Sequence, residues 1–177
     1  MKTKILVSAC LMGFKVRYNA QDKPLLADAL DRWQQEQRLI IHCPELAAGL
    51  ATPRLPAELV GGGGTAALKG DAKIQESDGS DVSQTYLLAA WLALKTAQDS
   101  GCRLALMTDG SPTCGSSKIY DGSFQGITQP GMGVAAALLR QNGIEVYAEA
   151  ELPALIARVA ALDKELTFTE EGNGNHG

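Results

Sequence analysis

Four short apolar runs, each closed off by turn-forming residues, constrain the fold of this chain more than any other feature. They are Lys4–Ser8 (KILVS), Leu39–His42 (LIIH), 104–107 (LALM) and 144–147 (IEVY). Runs of this length bounded by turn signals read as buried strands. The stretches between them carry apolar residues at helical spacing. Pro24 opens one such pattern, which extends through Arg38, as expected of proline in a first helical turn. A second covers 82–100, with Ser80 or Asp81 placed to cap it and Gly101 to end it. Val134–Gln141 and 151–165 complete the set. Strands alternating with helices predict an α/β fold: one domain over 1–168, Rossmann-like, with a doubly wound, mostly parallel sheet and helices on both faces. The tail, 169–177, is expected to be disordered. Right-handed crossovers then bring all the strand carboxyl ends to one edge, where such folds keep their chemistry.

The less regular stretches are read more coarsely. Residues 43–59 (CPELAAGLATPRLPAEL) hold three prolines, which break up any long regular element. The four glycines at 61–64 lack the lysine and Ser/Thr that a phosphate loop would need in the following TAALKG, so they read as a flexible connector. Residues 69–75 are expected to form a short edge strand or hairpin arm. The 177 residues suit one well-buried domain, and a net charge of −4 argues against nonspecific nucleic-acid binding. No apolar span is long enough to cross a membrane. The start, MKTKILVSAC, turns polar over 15–19, so it is read as the first strand of a cytoplasmic protein rather than a signal peptide.

The chain has four cysteines and no CxxC pair. In such a chain, widely spaced cysteines point to metal binding or catalysis more than to disulfides. Position on the fold sorts them. Cys10 follows the first strand, Cys43 the second, and Cys114 lies in the loop after the third (TDGSPTCG), so all three fall on one edge. Cys102 precedes the third strand and belongs to the opposite edge, as a small buried residue. Three converging thiolates suit zinc or an iron–sulfur cluster. His42 is expected to point away from Cys43, since neighbours alternate in a strand, and reads as a hydrogen-bonded strand-end histidine. The site therefore has three protein ligands and an open position, which is the mark of a catalytic metal.

The blocks SACLMGFKVRY, CPELAAGLATPR and SPTCGSSKIYDGSFQGITQPGMGVAAALL resemble the thiouracil desulfidase family, in family order and over most of the chain up to about Asn142. The commoner third block is SPSCG; Thr113 here keeps the hydroxyl. The resemblance implies a [4Fe–4S] cluster on Cys10, Cys43 and Cys114, passing through a transient [4Fe–5S] form with bound sulfide. It further implies a small thiopyrimidine substrate of the 2-thiouracil or 4-thiouracil class, converted without redox change to uracil and hydrogen sulfide. Glu45 would be the acid/base group that activates water, and Ser111 a positioning group. By residue chemistry alone Glu45 is also a favoured first-turn residue of a helix, and Ser111 a turn residue ahead of Pro112.

Lys15, Arg17, Lys23, Arg54 and Lys118 could offset the charge of the cluster or lie solvated on the surface; Tyr18 and Tyr120 could contact a flat base or simply pack. The competing reading is a non-catalytic iron–sulfur or zinc-binding module, a sensor or sulfur carrier, which would keep the cysteines but not require Glu45. A nucleotide-binding protein is disfavoured, because no Gly-rich phosphate motif follows the first strand.

Overall fold

A computed structural model describes residues 2–9, 11, 23–50 and 55–174. Its centre is a parallel sheet of β1 (Lys4–Ser8), β2 (Leu39–His42), β5 (Cys102–Leu106) and β8 (Glu145–Tyr147), in the order β2-β1-β5-β8. These are the four apolar runs, and their alternation explains the two cores. Ile5, Val7, Leu104 and Leu106 point to one face and pack on Leu30 and Trp33 of α1 (Lys23–Gln35) and on Leu155, Val159 and Leu162 of α6 (Leu152–Gly174). Leu6, Ala105, Met107 and Val146 point to the other face. They pack on Ala90, Ala93 and Ala97 of α4 (Ser83–Asp99) and on Ala135 and Leu139 of α5 (Val134–Gln141). Small alanines on α4 and α5 let these helices sit close to the sheet and to each other.

The helix after β1 covers one face and the helix after β5 covers the other. Because β1 and β5 are neighbours, the chain reverses direction across the sheet between them. In open α/β sheets, this switch point opens a crevice at the carboxyl ends of the strands.

Two small hairpins add to that edge. One pairs β3 (Ala57–Val60) with β4 (Lys73–Glu76), and the other pairs β6 (Lys118–Tyr120) with β7 (Thr128–Pro130), both antiparallel. The expected hairpin arm at 69–75 is thus present as β4, but its partner β3 lies in a stretch where the prolines masked a strand. Short helices α2 (Pro44–Ala47) and α3 (Gly64–Leu68) precede and follow β3.

The tetraglycine is not a flexible connector. Gly63 caps α3, and the Gly64 N–H donates to the Met132 carbonyl at 2.7 Å. A Cβ on Gly64 would collide with the Gly133 carbonyl. The glycines are therefore there to let two backbones touch.

Several boundaries move for local reasons. α1 stops at Gln35, short of Arg38, because Gln37 takes a left-handed φ of 59°. Gly101, at φ 72°, ends α4 as expected, and Asp81 accepts the Ser83 N–H at 2.9 Å ahead of it. The last helix keeps its backbone helical to Gly174, well past the expected end at residue 165, since no proline follows Pro153 to stop it. Among the described residues, no helix is long and apolar enough to cross a membrane.

Candidate active site

The site is built on the loop after β5. Asp109 organises its first half: its Oδ1 accepts the N–H groups of Ser116, Ser117 and Lys118 at 3.0, 2.9 and 3.2 Å. Its Oδ2 accepts the Ser117 hydroxyl at 2.7 Å. Burial pushes the Asp109 carboxyl up, but the hydrogen bonds donated by Ser117, Lys118 and Ser116 outweigh this and hold it below the ordinary carboxylate value.

The second half of the loop is gripped by α5. The N–H groups of Val134 and Ala135 donate to the Pro112 and Thr113 carbonyls at 2.8 and 2.9 Å, and Gly133 N–H to Gly115 O at 2.7 Å. The unsatisfied donors of a helix start thus find partners in the loop itself. This needs glycine at 133, where a Cβ would come within 2.5 Å of the Thr113 backbone. The long block from Ser111 to Leu139 is therefore one folding unit rather than a string of loop residues.

Ser111 takes the turn role that residue chemistry suggested. Its Oγ accepts the N–H groups of Thr113 and Cys114 at 3.1 and 3.2 Å, a tight local turn. It also reaches Glu45 Oε1 at 3.4 Å. The shorter bond to that carboxylate, 2.9 Å, comes from the hydroxyl of the fully buried Thr113. Thr113 is a residue that sequence reasoning treated as a neutral replacement. Its hydroxyl is what ties the loop after β5 to α2, across to the other side of the crevice.

Glu45 sits in the first turn of α2, two residues after Cys43, which caps that helix in extended conformation. Glu45 and Ser111 line one cavity of about 660 Å³, together with Glu58, Asp109, Tyr86 and Tyr120. Tyr120 is 38 % exposed, and its ring lies over Gly110, with Cε2 3.4 Å from where a Cβ would stand.

Cys43 is half-buried and Cys114 buried, and neither forms a disulfide. Cys10, Lys15, Arg17, Tyr18 and Arg54 lie outside the described residues, as does the side chain of Lys23. Cys43 follows β2 and Cys114 follows β5 at the same edge at which β1 ends with Ser8, two residues before Cys10 in sequence. Soft sulfur donors on adjoining loops at such a crevice suit an iron–sulfur cluster. Among the described residues alone, no group of three or more His, Cys, Asp and Glu comes together as a metal site. Cys102 is at the start of β5, on the far edge as expected, and burial pushes its thiol up to about 11. That keeps it protonated and inert.

His42 departs from expectation. Among the described residues its buried Nε2 has no hydrogen-bond partner, and neither has the hydroxyl of Ser8, its register partner on β1. Burial lowers the His42 pKa, which favours the neutral ring. Lys118 is exposed and gives the site its backbone N–H rather than its ammonium.

A family model described as 2-thiouracil desulfurase matches residues 5–151. The chain belongs to that family. The match spans both sides of the cavity and the whole Ser111–Leu139 unit. An uncharacterized protein of Bacillus subtilis (strain 168), YbbK, is 40 % identical over 148 residues, 84 % of this chain and 97 % of that protein. The solved structure of TudS, a [4Fe–4S]-dependent thiouracil desulfidase, is 37 % identical. It superposes with a TM-score of 0.74 over 90 % of this chain and 99 % of that one. The Rossmann-like α/β architecture is thus shared with an iron–sulfur enzyme.

Proposed function

We propose that this protein converts a thiolated pyrimidine, of the 2-thiouracil or 4-thiouracil class, with water to uracil and hydrogen sulfide. The carbon–sulfur bond breaks, a carbon–oxygen bond forms, and no electrons are exchanged. The observation that carries the reading is the convergence of Glu45 and Ser111 on one cavity, each within three residues of a cysteine. Family membership and the likeness to TudS support it.

Cys10, Cys43 and Cys114 would hold a [4Fe–4S] cluster. Its iron not bound by cysteine would supply a Lewis acid for the thiocarbonyl sulfur.

The chain's own groups do the rest. Glu45 takes a proton from water as it adds to the thiocarbonyl carbon, and returns it as the sulfur leaves. Thr113 and Ser111 hold the carboxylate in place through Oε1. Such fixing of a base in a near-attack position is a large share of catalysis in a preorganised site. The Ser111 hydroxyl, which its own loop pins by two N–H bonds, directs its one hydrogen at Glu45 and so acts as a positioning group for the base.

Anaerobic purification, reconstitution with iron and sulfide, and assay of sulfide release from 2- and 4-thiouracil test the proposal. Brown protein releasing sulfide and uracil in equal amounts is expected. Protein that carries the cluster but releases no sulfide would be the sensor or sulfur carrier instead.

A further inference from the structure

Of the three carboxylates that line the cavity among the described residues, two are committed to the protein's own loops. Glu45 Oε1 accepts from Thr113 and Ser111, and Asp109 uses both oxygens on the loop after β5. Glu58, on β3, is bound differently. Both of its bonds fall on one oxygen: Oε1 accepts the N–H groups of Gly122 and Phe124 at 3.0 and 3.2 Å. Oε2 accepts no hydrogen bond among the described residues.

The carboxylate cannot swing away to water. Glu58 is 8 % exposed, and the turn it holds lies directly on β3: a Cβ on Gly122 would stand 2.7 Å from the Leu59 carbonyl. Two backbone donors on Oε1 fix the plane of the group and thereby the direction of Oε2. A buried anionic acceptor at a cavity wall, with one oxygen uncommitted, selects for a ligand that brings an N–H or O–H donor. Thiouracil and uracil carry such donors on their ring nitrogens, next to the carbon whose sulfur is replaced.

We propose that Glu58 is a specificity-determining residue whose Oε2 accepts a ring N–H of the pyrimidine and so sets its orientation toward Glu45. The inference rests on the function proposed above. It also assigns the hairpin β6–β7 a purpose, since the turn at 121–124 that leads out of β6 is what locks Oε1 and leaves Oε2 for the ligand.

Glu58→Gln separates the two oxygens. The amide oxygen can keep the Gly122 and Phe124 N–H groups, while an NH₂ donor replaces Oε2 and faces the ring N–H. With reconstituted holoenzyme, KM for 2-thiouracil should rise about tenfold or more while kcat changes only a few-fold, the loss of a charge-assisted hydrogen bond. Methylation of the contacted nitrogen, tested with 1-methyl- and 3-methyl-2-thiouracil, should cost the wild type a comparable factor and cost Glu58→Gln nothing further. A purely structural Glu58 would slow all three substrates alike and leave the methyl ratio unchanged. An unaltered KM, or an unaltered methyl ratio, overturns the assignment and leaves desulfuration standing. A wild-type methyl ratio near one at both nitrogens overturns it without any variant. Wild-type protein with its cluster intact and no sulfide release removes the parent reading, and this assignment with it.

Discussion

Glu45 is held by its neighbours rather than by its own helix. α2 is only one turn long and gives the carboxylate no lateral support; the Thr113 hydroxyl, arriving from another loop, does. Removing the base and loosening it should therefore look different. Glu45→Gln is expected to lower kcat by about 10²-fold or more, the usual share of a general base, with the cluster's visible absorbance unchanged. Thr113→Val keeps the shape and removes the bond. Its expected effect is a smaller fall in kcat, roughly tenfold, with KM little changed, because the carboxylate is held less firmly in place. Equal rates for Thr113→Val and wild type would show that the Thr113 hydroxyl is not needed to hold the base. That Glu45 and Ser111 belong to one site was legible from the resemblance, and the common edge of Cys43 and Cys114 from strand ends alone. Thr113 and Asp109 were not, because a threonine and an aspartate in a turn-rich loop carry no mark of what they bond; only the folded loop shows it.

At the scale of elements, the site is a joint between α5 and the loop after β5, closed by glycine. Gly133→Ala would push a methyl into the Thr113 carbonyl, and Gly64→Ala one into the Gly133 carbonyl. Neither obstacle is the end of a flexible side chain, so the backbones must part. Each variant should lose about 2–3 kcal/mol of stability, read by denaturant melts, with Gly133→Ala also losing cluster retention because it moves the turn that bears Cys114. The same geometry explains what sequence reading missed here. Four consecutive glycines look like slack chain when the residues they touch, seventy positions on, are not yet in view. β3 was hidden similarly: Pro53 and Pro56 suggested irregularity, yet both precede the strand and leave its ladder intact.

For the whole molecule, the four apolar runs sufficed to predict the sheet, its parallel sense and the edge that bears the site, since strand periodicity and crossover handedness are local rules with global consequences. The ties between distant ends were not readable. Asp163 on α6 accepts from both Arg38 nitrogens, at 3.0 and 2.6 Å, and from the Thr3 hydroxyl at 2.9 Å, joining the last helix to the first two strands. Burial raises the Asp163 carboxyl, but Arg38 and Thr3 outweigh it and leave the pKa below the ordinary value. A depressed carboxylate stabilises above its unfolded pKa of about 3.9 and loses that contribution as pH falls through the folded value. Asp163→Asn should accordingly cost roughly 2 kcal/mol near neutral pH, discounted for partial exposure, and about 5 °C in Tm. The gap between variant and wild type should begin to narrow below about pH 4 and close only as the pH falls through the depressed folded value.

The sheet order carries one more consequence. β2 is an outer strand, laddered only to β1, whereas β1 and β5 are each held on both sides. Cys43 and Glu45 follow directly from that singly paired strand, while Ser111 and Cys114 follow from a doubly paired one. Fraying of β2 would therefore pull Glu45 away from Thr113 and Ser111 and widen the crevice between them. Amide hydrogens of Leu39–His42 should exchange with solvent sooner than those of Cys102–Leu106, and the rate of that breathing sets an upper limit on how long Cys43 and Glu45 stay in register with Ser111 and Cys114.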